Sequence, residues 1–168
     1  IKNGQGTLTD NLDNKFQGEW INDELEYGTV KFNNGNKYEG QLDSEFLNGK
    51  GKMEYQNGDI FDGNWLVGDR NGEGKYIKNN GDTIIGEWIT GELNQNEEGQ
   101  IIEYNNGDRY EGKIKEIKNP IGDNIYIYVR HGQGKLITKD RSIKEGTWKN
   151  DNFSATQSPT PKLPESRY

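Results

Sequence analysis

The most suggestive chemical motif in the sequence is the stretch DRNGEG at residues 69–74. It copies the first half of a calcium-binding loop, in which carboxylate and amide oxygens alternate along the chain. The twelfth position of such a loop falls on Asn80, where a bidentate glutamate is needed, and the flanking sequence predicts no helices. We therefore predict no metal site in this chain.

Other reactive groups are sparse. His131 is the single histidine and there is no cysteine, so a nucleophile with a neighbouring base has few candidates. Carboxylate pairs such as Asp59 and Asp62 recur with a repeat, which is typical of turn and surface positions. The glycine pairs do not form GxGxxG and precede strands rather than helices, so they predict no phosphate site. We interpret the chain as a non-enzyme that needs no cofactor.

The composition limits the kind of body that could position any site. Of the 168 residues only 29% are hydrophobic, which is too few to fill a two-layer core. Four Trp, nine Tyr and five Phe nevertheless argue against general disorder. The composition indicates an elongated body with thin buried seams. The absence of cysteine favours a cytoplasmic location, and no apolar run is long enough to span a bilayer.

A repeat organises most of the chain. Its first strand is marked by glycines at spacings of 22, 23, 23, 26 and 34 residues: Gly18, Gly40, Gly63, Gly86, Gly112 and Gly146. Residues two places before and after these glycines are apolar, with Lys144 as the exception, while the positions between are mostly polar. This period-two alternation predicts β-strands.

A second strand in each unit follows the same logic. Its glycines come mostly in pairs, as in GKGKM and GEGKY, and the second members include Gly51, Gly74 and Gly134. Two units keep one glycine, Gly28 and Gly99, and in the latter the inward apolar residue is predicted to be Ile101. Asn-Gly turns separate successive units, which predicts stacked β-hairpins.

The glycines inside the strands are predicted to be packing sites. With no Cβ in the way, a large aromatic side chain of one hairpin could lie over the glycines of the next. Curvature of the sheet would then gather nine side chains along one groove: Phe16, Trp20, Tyr38, Leu42, Phe61, Trp65, Trp88, Tyr110 and Trp148. We expect Trp65 and Trp88 to expose ring edges that contact a partner polypeptide.

Three stretches carry a family resemblance. The sequences YEGQL…GKGKMEYQNGD, FDGNW…NGEGKY and YEGKI…RHGQGKL resemble MORN (membrane occupation and recognition nexus) repeats over residues 1–149, beginning with a half repeat at 1–10. The resemblance implies an all-β fold, an elongated single-layer antiparallel sheet of stacked hairpins. It also implies a scaffold, linker, or lipid- or protein-binding module without an active site of its own.

Two segments depart from the repeat. Residues 115–130 lengthen one hairpin and contain the alternating run NIYIYV, which predicts either a longer hairpin within the sheet or a protruding edge that adds a strand to a partner. Residues 150–168 read as a Pro- and Ser-containing tail, extended or disordered unless it docks on the array or a neighbour.

Charge is distributed unevenly. Residues 1–108 carry 9 Lys and Arg against 21 Asp and Glu, a net of −12, whereas residues 109–149 carry 10 against 5, a net of +5. The acidic first part argues against nucleic-acid binding. The possible basic end comprises Arg130, Lys135, Lys139, Arg141 and Lys144.

These observations favour a non-catalytic structural module that binds a partner polypeptide along the aromatic groove within a larger assembly. The Asn-, Ile- and Lys-rich composition hints at an AT-rich protist genome, in which the MORN resemblance favours a ciliary or cytoskeletal assembly. Three alternatives stay open: a membrane tether that binds anionic lipid through the basic end, a regulatory domain of a larger enzyme, and homo-association. Of these the lipid alternative is disfavoured, because no amphipathic helix or hydrophobic anchor accompanies the basic residues.

Overall fold

The computed structural model describes residues 1–118 and 126–155, and every regular element in them is a β-strand. The strands are β1 Gly4–Thr9, β2 Lys15–Ile21, β3 Glu24–Lys31, β4 Lys37–Asp43, β5 Phe46–Glu54, β6 Ile60–Leu66, β7 Asp69–Ile77, β8 Thr83–Ile89, β9 Glu92–Leu93, β10 Gln100–Glu103, β11 Arg109–Lys118, β12 Tyr126–Ile137, β13 Ile143–Lys149 and β14 Asn152–Ala155.

All strands belong to one open antiparallel sheet. Each pairs with its neighbours in chain order, except that the two-residue β9 pairs with β8 and leaves the next place to β10. The prediction of an all-β, single-layer sheet of hairpins is confirmed. The sheet continues through β14, beyond residue 149 where the array is predicted to end, and the rest of the Pro- and Ser-containing tail, residues 156–168, lies outside the described residues.

A row of glycines crosses the sheet, one from nearly every strand. Gly18 pairs with Gly28, Gly40 with Gly51 and so on, because the two strands of each unit carry glycine at matching distances from their turns. The row comprises Gly6, Gly18, Gly28, Gly40, Gly51, Gly63, Gly74, Gly86, Gly112, Gly134 and Gly146. A side chain that packs on this row therefore contacts backbone atoms, because glycine has no side chain.

Most of the rings that cover this row belong to the same hairpin as the glycines they cover; Trp20, which meets Gly6 of the preceding strand, is the exception, and leucines cover Gly18, Gly28 and Gly86. A Cβ added to Gly51 would overlap the Tyr38 ring, and one added to Gly74 would overlap Phe61. The prediction that each ring covers the next unit's glycines was wrong in this respect. The reason is a β-bulge after Gly40, where the Tyr38 hydroxyl donates a hydrogen bond of 2.7 Å to the carbonyl of Gln41 and holds the ring along its own strand.

One strand interrupts the glycine row. In β10 the row position is occupied by Gln100, which pairs with Gly112, and Gly99 precedes the strand. The Gln100 amide is buried and fully used, because it donates to the Asn94 carbonyl at 2.7 Å and accepts from the Ile114 amide at 3.0 Å. Consequently the inward apolar residue is Ile102, and the prediction of Ile101 was one residue out of register.

Asn-Gly turns line one edge of the sheet and are bonded to one another. The side chain that follows each turn accepts a hydrogen bond from a backbone amide of the next turn. The Gln56 amide donates to Asn36 at 3.0 Å, and the Asn79 amide donates to Asp59 at 2.8 Å. Asp59 is buried rather than on the surface as predicted, since its carboxylate also accepts a 2.6 Å bond from the Tyr76 hydroxyl.

Two-residue turns form the opposite edge, which we call the tight-turn edge: Asn22–Asp23, Ser44–Glu45, Val67–Gly68 and Thr90–Gly91. At three of the four both residues have positive φ, as in the type I′ turns that match strand twist. Backbone bonds join this edge to the preceding hairpin, from the Gly68 amide to the Leu47 carbonyl and from the Gly91 amide to the Arg70 carbonyl, both 2.9 Å.

Candidate functional site

The nine predicted groove residues all lie on the inner face of the sheet, the face that carries the hydrophobic core. They form one continuous cluster, in which Tyr38 and Phe61 meet Trp65 edge-on at ring-centroid distances of 5.5 and 5.3 Å. None is more than 6% exposed, and Trp88 is not exposed at all. The expectation that Trp65 and Trp88 present ring edges to a partner is therefore corrected, because packing between hairpins covers both rings.

Tryptophan side chains also tie neighbouring hairpins together by hydrogen bonds. The indole Nε1 of Trp65 donates to the carbonyl of Gly51 at 2.9 Å, and Trp20 and Trp148 make the same contact to Gly6 and Gly134 at 3.3 and 3.1 Å. The Nε1 of Trp88 is buried and has no hydrogen-bond partner among the described residues. Three of the four indole nitrogens therefore form a hydrogen bond to a neighbouring hairpin, and that of Trp88 forms none among the described residues.

We expect Trp65→Phe to lower the free energy of unfolding by about 1 kcal/mol more than Trp88→Phe. Both substitutions remove a similar area of buried ring, but only the first removes a satisfied hydrogen bond, the one to the Gly51 carbonyl. Chemical denaturation of both variants measures the difference. A larger loss for Trp88→Phe would contradict the role assigned to the indole bond.

A buried ion pair lies at the centre of the inner face and was not predicted. The Arg70 guanidinium is 3.3 Å from the Glu116 carboxylate, and both side chains are buried. Arg70 also donates to the Gly91 carbonyl and to the Tyr128 hydroxyl, the latter at 3.4 Å. Its position in β7 is the one that leucine occupies in the other hairpins, at Leu25, Leu47 and Leu93, so a charge at a core position was the available signal.

Burial raises the pKa of acidic groups around Arg70 and so favours their neutral forms. Desolvation raises the pKa of Glu116 above its usual 4.5, against the opposing effects of Arg70 and of the Leu93 amide, which donates to the carboxylate. Burial likewise raises the pKa of Tyr55 to about 12. The phenols around Arg70 are therefore neutral hydrogen-bond donors at physiological pH.

The hairpin β11–β12 folds back over the inner face. Tyr128 and Tyr126 lie against Tyr76 of β7, with ring-centroid distances of 5.3 and 6.0 Å, although β7 and β12 are several places apart in the sheet. The Arg70 guanidinium stacks 4.4 Å from the centroid of the Tyr126 ring. The inner face is therefore concave between these strands, and the alternating run YIYV supplies the side chains that fill it.

An open pocket of about 320 Å³ adjoins the tyrosines of this hairpin. Its apolar lining comes from Phe32, Phe46, Leu47, Met53, Tyr55, Trp65 and Tyr126, and the charged side chains of Glu45, Asp69 and Arg70 border it. Phe32 and Tyr55 are half-buried, so apolar surface is available to a bound group. Of the nine predicted groove residues, Trp65 lines this pocket, although only 5% of it is exposed.

The predicted basic end is divided between structural and exposed residues. Arg130 pairs with Asp151 at 2.8 Å and stacks on Trp148 with 4.3 Å between the guanidinium carbon and the ring centroid. Lys135 lies between Glu111 and Glu145 in the sheet, whereas Lys139, Arg141 and Lys144 are exposed. The exposed charges are fewer than the sequence indicates, and lipid binding through them stays a prediction.

The DRNGEG stretch and His131, which the sequence singles out for possible metal or reactive chemistry, lie within strands. In the part of the chain that the structure describes, no three His, Asp or Glu side chains are placed to hold a metal ion, and no helix is long and apolar enough to cross a membrane. The DRNGEG stretch lies in β7 and its turn rather than in an ion-binding loop. The Nδ1 of His131 is buried in β12 without a partner among these residues.

Comparison with known proteins identifies the repeat. Residues 16–37, 38–60 and 61–83 each match the family model of the MORN repeat. No curated protein matches the sequence. Among solved structures, the chain is similar to the TCP domain of SAS-4 of Drosophila melanogaster in complex with a proline-rich motif of Ana2, with 10% identity, 86% of this chain and 90% of that chain covered, and a TM-score of 0.38.

A second similar structure is the TCP10c domain of Drosophila melanogaster Sas-4, with 16% identity, 86% of this chain and 99% of that chain covered, and a TM-score of 0.33. TM-scores this low carry no argument about function. The three consecutive matches agree with the hairpin units β2–β3, β4–β5 and β6–β7. Residues 16–83 of the chain are therefore three consecutive MORN repeats.

Proposed function

We propose that this protein is a non-catalytic interaction module that binds a partner polypeptide in the open pocket of its concave face. The observation that carries the proposal is that the chain's own strand β12 occupies the adjoining part of the same face. Tyr126 and Tyr128 there are seated on Tyr76 and beside Arg70. The concave face therefore binds an extended segment with aromatic side chains within the chain itself.

The open part continues the surface on which β12 lies. Tyr126 forms one wall of the pocket, and Tyr55, which contacts Tyr76 at 5.9 Å between ring centroids, forms another. A partner side chain in the pocket would complete an apolar layer that the intramolecular hairpin leaves unfinished. Pockets near this volume, apolar with a few polar groups at the border, are typical ligand sites.

The border of the pocket indicates the partner's chemistry. Glu45 and Asp69 supply negative charge, Asn34 and Asn36 supply hydrogen-bonding amides, and the charge of Arg70 at the pocket is paired with Glu116. A segment with an aromatic or large apolar side chain next to a lysine or arginine would satisfy both parts. We place this interaction in a larger multi-subunit assembly, with a ciliary or cytoskeletal one as the favoured setting.

Affinity purification from the source cells with matched baits tests the proposal. The baits are the unaltered chain, Phe32→Ser in the pocket, and Tyr27→Ser, which removes an exposed aromatic from β3 outside the pocket. We expect at least one protein to be captured by the first and third baits and reduced about tenfold with Phe32→Ser, as for a residue at an interface centre.

Thermal denaturation of each bait must first show that the substituted proteins are folded to the same extent. Capture that is equal for all three baits would contradict binding in the pocket. The identity of the captured protein, ciliary, cytoskeletal or otherwise, decides the setting.

A further inference from the structure

The tight-turn edge carries a regular pattern that the concave face does not explain. In four successive hairpins, the two residues that close the turn are one apolar residue and one carboxylate. The closing pairs are Ile21–Glu24, Asp43–Phe46, Leu66–Asp69 and Ile89–Glu92. Each of these hairpins therefore carries one apolar and one acidic side chain at this edge, with the apolar one on the first strand except in β4–β5.

The apolar members of the pattern are exposed. Ile21, Leu66 and Ile89 are 55%, 52% and 49% exposed, and Val67 at the tip of its turn is 64% exposed. Phe46 is also exposed but borders the pocket of the concave face, whereas Ile21, Leu66, Val67 and Ile89 do not line it. Leu66, Val67 and Ile89 lie on the adjacent units β6–β7 and β8–β9, whereas Ile21 is separated from them by the hairpin β4–β5, in which Asp43 holds the equivalent position.

Val67 gives independent evidence that the row has a use. It adopts a φ of +48°, in the left-handed region that β-branched residues rarely enter, and Asn or Gly would occupy that position with less strain. Strained residues persist where the strain serves a function. A valine retained in this conformation presents an apolar group to solvent at a cost in stability.

The spacing of the row selects the conformation of an occupant. Neighbouring hairpins lie about 9.6 Å apart, twice the strand spacing. An α-helix advances about 10.5 Å in seven residues, so one residue per heptad can meet each hairpin. In an extended strand, side chains on one face repeat about every 6.7 Å and fall out of register with the hairpins.

The backbone and the charge of the edge support the same choice. The turns at Gly68 and Gly91 already bond to the preceding hairpin, so these turn amides are not free to pair with an added strand. The carboxylates of Glu24, Asp43, Asp69 and Glu92 flank the apolar side chains, and residues 1–108 carry a net charge of −12. Lysine or arginine beside the apolar stripe would complement them.

We propose that the tight-turn edge is a second docking surface, which binds a basic amphipathic α-helix of a partner protein with an apolar residue in each heptad. The helix lies across the hairpins, with its apolar stripe on Ile21, Leu66, Val67 and Ile89 and its basic residues against the carboxylates. The four apolar residues of this surface do not line the pocket of the concave face, although Asp69 borders both, and the proposal does not depend on that pocket's function.

A pair of synthetic peptides tests the proposal. One is a three-heptad helix of Ala, Lys and Leu with a leucine in every heptad at the same position, and the other has the same composition with the leucines distributed around the helix. Fluorescence anisotropy at low and high salt measures binding of each peptide to the full chain. We expect the first peptide to bind about tenfold more tightly and to weaken with salt.

Substitutions locate the binding surface. Leu66→Ser is expected to weaken binding of the first peptide about tenfold, while Ile143→Ser, an equally exposed aliphatic on β13, leaves it unchanged. Val67→Asn is expected to raise the melting temperature and weaken binding, because it relieves the left-handed strain and removes the apolar group. Opposite signs for stability and binding distinguish a docking residue from a structural one.

Three results would overturn the proposal. One is equal affinity of the two peptides, and another is unchanged binding after Leu66→Ser in a folded protein. The third is concentration-dependent self-association of the unaltered chain that Leu66→Ser abolishes, since the edge would then be an interface between copies.

Discussion

Replacing Gly63 by valine is expected to lower the free energy of unfolding by about 3 kcal/mol. A Cβ at this position would lie 2.6 Å from the Gly74 Cα, 2.8 Å from the Glu73 carbonyl oxygen and 2.8 Å from the Phe61 ring. Two of these neighbours are backbone atoms of the paired strand, which a side-chain rotation cannot move. Overpacking against fixed neighbours carries a cost of this size.

The matched control is Asp62→Val on the same strand. Asp62 is exposed and faces away from the core, so the new side chain meets solvent, and valine is the better strand former. We expect the stability of this variant to change by no more than about 0.5 kcal/mol. Urea denaturation of the two proteins gives the comparison, and similar midpoints would contradict the account of the glycine row.

The glycine row also shows why the fold could be predicted from the sequence. Period-two alternation, glycines at matching distances from the turns and Asn-Gly turns all recur in phase, so each unit repeats the same information. The register failed only in β10, where Gly99 mimics the row glycine and Gln100 occupies its place. Two hydrogen bonds of the Gln100 side-chain amide fix that register, one to the Asn94 carbonyl and one from the Ile114 backbone amide. Both form only in the folded protein.

The candidate site was harder to predict from the sequence. Period-two alternation predicts the face of the sheet on which a side chain lies, but not which other side chains cover that face. Trp65 and Trp88 were placed on the correct face, but neighbouring rings bury them. The contact between Arg70 and Glu116 joins residues 46 positions apart in the chain. It arises only because the sheet curves far enough for β11 and β12 to reach β7, and the repeat pattern carries no measure of that curvature.

Arg70→Met is expected to lower the free energy of unfolding at neutral pH by about 3–5 kcal/mol. Methionine fills similar space, but the substitution leaves the Glu116 carboxylate buried without its cation. The matched control is Arg130→Met, which breaks the more exposed pair with Asp151 and is expected to cost about 1 kcal/mol or less. The double substitution Arg70→Met and Glu116→Gln should recover much of the loss, because no charge is then left unpaired.

The pH dependence of the Arg70→Met deficit distinguishes an unpaired charge from lost packing. Burial raises the pKa of Glu116 in the folded protein above the 4.5 expected when unfolded, and loss of Arg70 should raise it further. The folded variant then holds a proton that the unfolded chain releases. Stability from this proton is present below about pH 4.5 and is lost as the pH rises through the folded-state pKa. We therefore expect the loss of unfolding free energy, measured by urea denaturation, to be largest near pH 7.5 and to shrink towards pH ~5. A loss that does not change with pH would indicate that Arg70 acts through packing on Tyr126 and Phe61 instead.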